Sequence, residues 1–391
     1  MPGARKKQKK GFLMSEKIKV AVIAAGIRSQ MVVKNLLRDS GGNVEVASVY
    51  DPDRQVAENA LKHWESPDTR ICDSYEEAIA EPGVTWVMVF SPNVRHCEHI
   101  LAAFAAGKHV FSEKPLATSI EDCVRIRDAH AAHPELFFAT GFVLRYSLLY
   151  RRAKEMLTSG EYGRVLSVEA NENITPDHGG YIMCNWRRHT SEAGPHILEK
   201  CCHDLDLLIW LTESRPLRVS AFGARRFFRS ENDFLMGKYG EKTFVSWPDP
   251  HALKDPFTAD SDLIDTQISA AEFENGVFVQ FAASMSNAVP ERRMRINCSE
   301  GTIILELYHM TLTCRKLGET TENTLHFTGD GHAGGDDFIM KELYETMSRG
   351  VPVKCSGREG LESAVYALAI DRAMTEHRIV DLGPVWEKLG R

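Results

Sequence analysis

Between residues 18 and 140 the sequence alternates short apolar runs with amphipathic stretches, and this alternation constrains the fold more than any other feature. Ile18 to Ala24 is almost wholly apolar, as a strand covered on both faces must be. Ala25-Gly26-Ile27-Arg28-Ser29 forms a tight turn, Gln30 to Arg38 reads as a helix, and Asn43 to Tyr50 as a second strand ending at Asp51. The pattern continues with strands at Val84–Phe90, His109–Phe111 and Phe137–Thr140, separated by helical segments at 54–63, 75–80, 96–106 and 119–133. Parallel strands need such crossovers, so the spacing predicts a Rossmann-type, doubly wound parallel sheet with its ligand at the carboxyl ends of the strands.

Beyond Arg145 the texture changes. Val165 to Glu172 alternates, and strand-like runs follow at 219–226, 265–274, 278–284, 294–298 and 302–307, with Asn275-Gly276 as a hairpin turn. Helices are expected at 150–159, around His203, at 336–347 and at 360–377. The second part is therefore α+β on a mostly antiparallel sheet with flanking helices. We divide the chain into a disordered basic leader (1–15), a nucleotide-binding domain (16–140) and a second domain (141–391). The Pro-containing stretch from Glu231 to Asp260 reads as a surface insertion.

A formal net charge of -7 argues against nucleic acid as a partner. No apolar run approaches the ~18 residues of a membrane span. Nine cysteines without a C-x-x-C pair fit a reduced, cytoplasmic protein. Cys201-Cys202-His203 does not suggest a metal site: neighbours on a helix diverge by about 100° and cannot easily share one tetrahedral ion.

The positions where a dinucleotide turn wants glycine read Ala24, Gly26 and Ser29. Only the middle glycine survives, but the helix N-terminus still offers N–H groups to phosphate from Ala25, Gly26, Ile27 and Arg28. Asp51 stands where a ribose-binding carboxylate belongs and would repel a 2′-phosphate, so NAD is expected; Arg54 nearby could accept NADP instead. Ser91 and Asn93 close the Val84–Phe90 strand, where the nicotinamide end would pass.

Two further motifs carry the chemistry. Ser112-Glu113-Lys114-Pro115 follows a short strand, and Glu199-Lys200-Cys201-Cys202-His203-Asp204-Leu205-Asp206 falls in a helical segment. With the shortened glycine turn, Asp51, Ser91-Pro92-Asn93 with His96, Gly141-Phe142 with Arg145, and Trp186-Arg187-Arg188, they resemble the Gfo/Idh/MocA oxidoreductases, the glucose–fructose oxidoreductase and inositol dehydrogenase family. The resemblance runs from Ile18 to about Asp381. It implies a Rossmann domain, a large open antiparallel sheet, a tightly held NAD(P) contacted by His96, Glu113 and Lys114 among others, and a sugar or polyol substrate. It also implies a homo-oligomer, dimer or tetramer, built by packing those sheets. The chain departs from the family where Gly194-Pro195 replaces two glycines and where Glu199 stands in place of a common aspartate.

Oxidising a secondary alcohol removes a hydride from carbon and a proton from oxygen, and histidine is the side chain best matched to the proton. Positions 199, 203 and 206 are spaced i, i+4, i+7, placing Glu199, His203 and Asp206 on one helical stripe. The expected roles are His203 as general base, Lys114 as the cation facing the developing alkoxide, and Glu199 orienting His203 or sharing its proton. Lys200 and Asp204 are expected to pair on the helix surface. Arg145, Trp186, Arg187, Asp206 and His332 are candidates for substrate contact, with Asp336 a helix cap. The leading function is an NAD(P)-dependent dehydrogenase of a sugar, polyol or glycoside. The alternatives are a glycosidase that transiently oxidises its substrate and a non-enzymatic NAD-binding regulator.

Overall fold

The computed structural model describes residues 17–245, 252–329 and 331–391. The expected leader lies outside the described residues, as do 246–251 of the expected insertion.

The first sheet is built from β1 (Ile18–Ile23), α1 (Ile27–Asp39), β2 (Val44–Tyr50), α2 (Arg54–Trp64), β3 (Arg70–Ile71), α3 (Tyr75–Ala80), β4 (Val84–Val89), α4 (His96–Ala105), β5 (His109–Ser112), α5 (Ile120–Ala131) and β6 (Phe138–Thr140). Its strand order is β3-β2-β1-β4-β5-β6, every pairing parallel. Val20 to Ile23 are completely buried, which is why this strand reads as a continuous apolar run. The order reverses between β1 and β4, so their carboxyl ends open a crevice at that point.

The chain continues through α6 (Leu148–Thr158), β7 (Val165–Asn173), α7 (Pro176–Cys184), α8 (Thr190–Ala193), α9 (His196–Glu199), α10 (Cys202–Thr212), β8 (Pro216–Ala224), α11 (Phe234–Tyr239), β9 (Thr266–Phe273), β10 (Phe278–Ser284), β11 (Arg293–Cys298), β12 (Gly301–Glu306), β13 (Thr311–Lys316), β14 (Asn323–His326), α12 (Asp336–Arg349), α13 (Gly357–Glu376), β15 (Val380–Asp381) and α14 (Gly383–Lys388). The second sheet runs β14-β13-β12-β11-β7-β10-β9-β8-β15. It is antiparallel except where β7 lies parallel to β10. Along β9 Gln267, Ser269, Ala271 and Phe273 are buried while Ile268 and Ala270 face outward: one face packs against helices and the other is open.

Three features differ from the expected layout. The helix around His203 is broken: α9 ends at Glu199 and α10 starts at Cys202, so the 199–203–206 stripe is not one helical face. The expected 231–260 surface insertion is anchored at two of its described residues, Phe244 and Phe257. Phe228, Phe244 and Phe257 bury with Ile174, Ile182, Met183, Leu263 and Met285 in a small separate core beneath α7. Irregularly spaced aromatics give no periodic signal but still gain by clustering. Finally α12, which follows the second sheet, joins the core of the first: Ile339, Met340 and Leu343 pack with Val32, Val33 and Leu36 of α1.

Candidate active site

The turn after β1 is shaped for a dinucleotide. Ala24 takes φ 68°, a left-handed conformation that favours glycine and that alanine adopts here at a cost of about 1 kcal/mol. A Cβ built on Gly26 would meet nothing within 4 Å, so the space in front of the turn is open. No side chain caps α1 and no acidic residue stands in its first turn, so its N-terminal N–H groups remain available to an anion. Ile27 is largely exposed beside them. Asp51 ends β2 and accepts from the Ala25 N–H (2.8 Å) and the Asp53 N–H (2.9 Å), tying the two βα turns together while keeping acceptor capacity toward a ribose. These residues fit a bound NAD. Arg54 lies at the start of α2, ion-paired with Glu58 at 3.4 Å.

Where β4 and β5 end, a cavity of about 200 Å³ is lined by Arg28, Phe90, Ser91, Asn93, His96, Glu113, Lys114, Trp186, Arg187, Glu199, Lys200, His203 and His332. Lys114 and His203, 89 residues apart in sequence, thus meet in one space. The Lys114 ammonium donates to the Glu199 carbonyl at 2.7 Å and stands 3.9 Å from the Glu199 carboxylate. Burial pulls its pKa down, but Cys202 first and then the Glu199 and Glu113 carboxylates raise it and prevail: Lys114 stays a cation. Arg187 Nε donates to the same carboxylate at 2.8 Å, its guanidinium lying over the Trp186 ring at 4.5 Å. Burial pushes the Glu199 carboxyl up; Lys114 and Arg187 overcome this and hold it at about 2. His203 is pushed the other way, well below its ordinary value, by burial first and then by Lys114 and the other cations around it. The imidazole is therefore neutral.

Glu199 consequently does not orient His203. Its carboxylate is taken by Arg187 and Lys114, and His203 Nδ1 is buried without a hydrogen-bond partner among the described residues. The break between α9 and α10 turns the two side chains toward different neighbours. Arg145 and Asp206 also leave the expected substrate contacts. They form a buried two-pronged pair, 2.7 Å for each bond, outside the cavity lining. Arginine matches a carboxylate in this fork geometry, and the pair leaves neither partner a free charge.

The remaining expected contacts are arranged as follows. Arg28 is held by Glu113 (2.7 Å) and by Asp336 (2.8 Å), and Gly141 lets the Glu113 carboxylate approach, since a Cβ there would lie 2.9 Å from it. Asp336 thus reaches across to Arg28, and the cap position of α12 belongs to Gly335. Ser91 Oγ lies 2.9 Å from His99 Nδ1, and Asn93 donates to the Ala193 carbonyl at 2.8 Å. Both ring nitrogens of His96 face backbone carbonyls, Pro115 at 2.6 Å and Ser91 at 2.7 Å. These three line the cavity while their polar groups brace the β4 and β5 ends.

Lys200, expected on the helix surface, is a wall of the cavity. Its ammonium pairs with the fully buried Glu172 at 3.4 Å, and Glu172 in turn meets Arg292 (3.2 Å), which forms a fork with Asp204 (2.9 and 2.7 Å). An i, i+4 spacing suggested a Lys200–Asp204 pair; the helix break between them removes it. Only the unusual density of charge in Glu199–Asp206 could have flagged this network.

Residues 18–140 match the oxidoreductase family with an NAD-binding Rossmann fold, and residues 150–304 match the GFO/IDH/MocA C-terminal domain. The chain is 33% identical over 210 residues to inositol 2-dehydrogenase of Gluconacetobacter diazotrophicus, a stretch covering 53% of this chain and 58% of that relative. It therefore spans little more than half the length of that relative. Levoglucosan dehydrogenase in complex with NADH and L-sorbose superposes with TM-score 0.79 at 17% identity, covering 95% of this chain and all (100%) of that one. Myo-inositol 2-dehydrogenase from Lactobacillus plantarum gives 0.72 at 16% identity, covering 94% and 99%. Both share the fold. With the nucleotide turn, the Glu113-Lys114-Pro115 loop and the two-sheet architecture in place, the chain belongs to the GFO/IDH/MocA oxidoreductase family.

Proposed function

We propose that this protein is an NAD-dependent dehydrogenase that oxidises a secondary alcohol of a polyol or sugar, with His203 as general base. The observation that carries the reading is the meeting of a neutral imidazole, His203, and a persistent cation, Lys114, in one cavity beside the nucleotide turn. His203 takes the hydroxyl proton. Lys114, fixed by the Glu199 carbonyl, stabilises the negative charge left on oxygen. Glu199 keeps Lys114 charged and in place, and Arg187 holds Glu199. When bound, NAD supplies the hydride acceptor. Trp186, Arg187, Lys200 and His332 are the substrate-side contacts of this reading. A cyclic polyol or anhydro sugar is the favoured substrate class, since relatives and structural neighbours are named for inositol and levoglucosan.

The same reading keeps the division at residue 140/141 and takes the second sheet as the contact between copies. Its open face carries the exposed side chains of Phe222, Ile268 and Phe278, and light scattering on the purified chain tests for a dimer or tetramer. A cytoplasmic location is supported by nine buried, unpaired thiols.

The central test is a panel of polyols, sugars and glycosides with NAD or NADP, followed at the reduced-nicotinamide absorbance. His203→Ala and Lys114→Ala should each lower kcat about 10²-fold or more while circular dichroism stays unchanged. Turnover at wild-type rates in both variants would overturn the assignment. Aglycone release without net NADH would move it to a glycosidase.

A further inference from the structure

A base as enclosed as His203, 4% exposed, needs a route for the proton it accepts. Its neighbours close most of them. Lys114, Lys200 and Arg292 are cations that bear on it from the loop after β5, the turn before α10 and the residue before β11. The Glu199 carboxylate on α9 is taken by Arg187 at 2.8 Å and Lys114 at 3.9 Å. The Phe142 ring lies against His203 edge to face, centroids 5.7 Å apart. Among the described residues the neighbour left is His332, on the glycine-rich loop before α12, its ring centroid 5.5 Å from that of His203.

His332 is built to pass a charge onward. Its Nδ1 lies 2.6 Å from Asp336 Oδ2, and Asp336 Oδ1 accepts from Arg28 at 2.8 Å. Burial pushes Asp336 up, but the hydrogen bond to His332 and the Arg28 charge more than offset it and hold the carboxyl at about 2. The carboxylate therefore stays ionised beside the ring. His332 also reaches water, its side chain 33% exposed against almost none for His203.

We propose that the His332–Asp336 pair is the proton exit of the site, and with it a second acid–base centre of the reaction. The proposal rests on the dehydrogenase reading above. The N–H bond formed on His203 during oxidation breaks, an N–H bond forms at the His332 ring nitrogen opposite Asp336, directly or over one water, and the proton then leaves to solvent. The electron pair of the substrate C–H bond departs with the hydride, so this transfer moves a proton and no electrons. In the reductive direction the same pair delivers the proton.

The test uses the full chain and the variant His332→Asn, with His332→Gln as a second variant should the first fold poorly. Turnover of myo-inositol and levoglucosan with NAD is measured across pH, with and without added imidazole. In parallel, histidine ring resonances are titrated without substrate. The expected result is a kcat roughly 10²-fold lower in the variant, restored in a concentration-dependent way by imidazole. The His203 titration should also move once the neighbouring ring and its link to Asp336 are removed. Wild-type kcat in both variants, a loss that imidazole leaves untouched, or an unmoved His203 titration overturns the proposal. Should neither alcohol reduce NAD, that choice of substrates fails and the titration decides for the pair: a moved midpoint supports it and an unmoved one refutes it.

Discussion

Replacing Glu199 with glutamine keeps the shape of the side chain and removes the charge that Lys114 and Arg187 share. Burial raises this carboxyl, and the two cations bring it from an ordinary 4.5 to about 2. The gap of about 2.5 (4.5 − 2), at about 1.4 kcal/mol per unit, corresponds to roughly 3 kcal/mol of folding stability. Because the folded value is the lower one, this contribution is complete above the unfolded value and fades as pH falls from about 5 toward 2. The wild type should exceed Glu199→Gln by roughly 3 kcal/mol at pH 7 and by progressively less at pH 4 and pH 3. Urea midpoints followed by tryptophan fluorescence at the three pH values measure the gap. A gap that does not change with pH, or none at all, would show that the clamp is not what depresses this carboxyl. The variant also separates roles. Lys114 still has the Glu199 backbone carbonyl, so kcat should fall less in Glu199→Gln than in His203→Ala. The reverse order would make Glu199 a proton carrier.

Asp51→Ala should weaken NAD binding roughly tenfold and NADP binding less, measured by NADH and NADPH fluorescence titration; equal losses would mean that Asp51 only ties the turn. Gly141→Ala places a methyl group 2.9 Å from the Glu113 carboxylate and should cost about 1–3 kcal/mol in urea unfolding by loosening the Arg28 pair; an unchanged midpoint would refute the close-approach argument. With His203 held well below 6.5 by burial and by Lys114, the acid limb of kcat/KM for oxidation should lie below pH 6.5, and a limb above that value would show that the base is not held neutral.

All of the first sheet but the two-residue strand Arg70–Ile71, half of it exposed, was legible, because its strands are buried apolar runs or are followed by capped helices, as at Ser74 and Ser119. Lys114 and His203 were legible as motifs, and the cavity brings them together. Less legible was everything that depends on which partner arrives from a distance. Arg145 looked like a substrate contact until Asp206, 61 residues away, proved to occupy it. Glu199 and His203 sit at helical spacing, but Lys200 and Cys201 interrupt the helix, a break that the apolar pattern does not record. The strands Thr311–Lys316 and Asn323–His326 went unread, and all four residues of the latter are exposed, so no alternation marks it. Helix Pro176–Cys184 was missed because two of its nine residues are glycines, which lower helix propensity but let the backbones of Phe244 and Met285 approach.

The return of α12 to the first sheet sets an order of events during synthesis. Val32, Val33 and Leu36 wait for Ile339, Met340 and Leu343, and Arg28 waits for Asp336, some 300 residues downstream. A ribosome that has finished the nucleotide-binding segment has not yet delivered the groups that close it. A nascent chain halted near residue 140 should therefore bind chaperones and be cut readily by protease, and it should gain protection only once residues 336–343 have emerged.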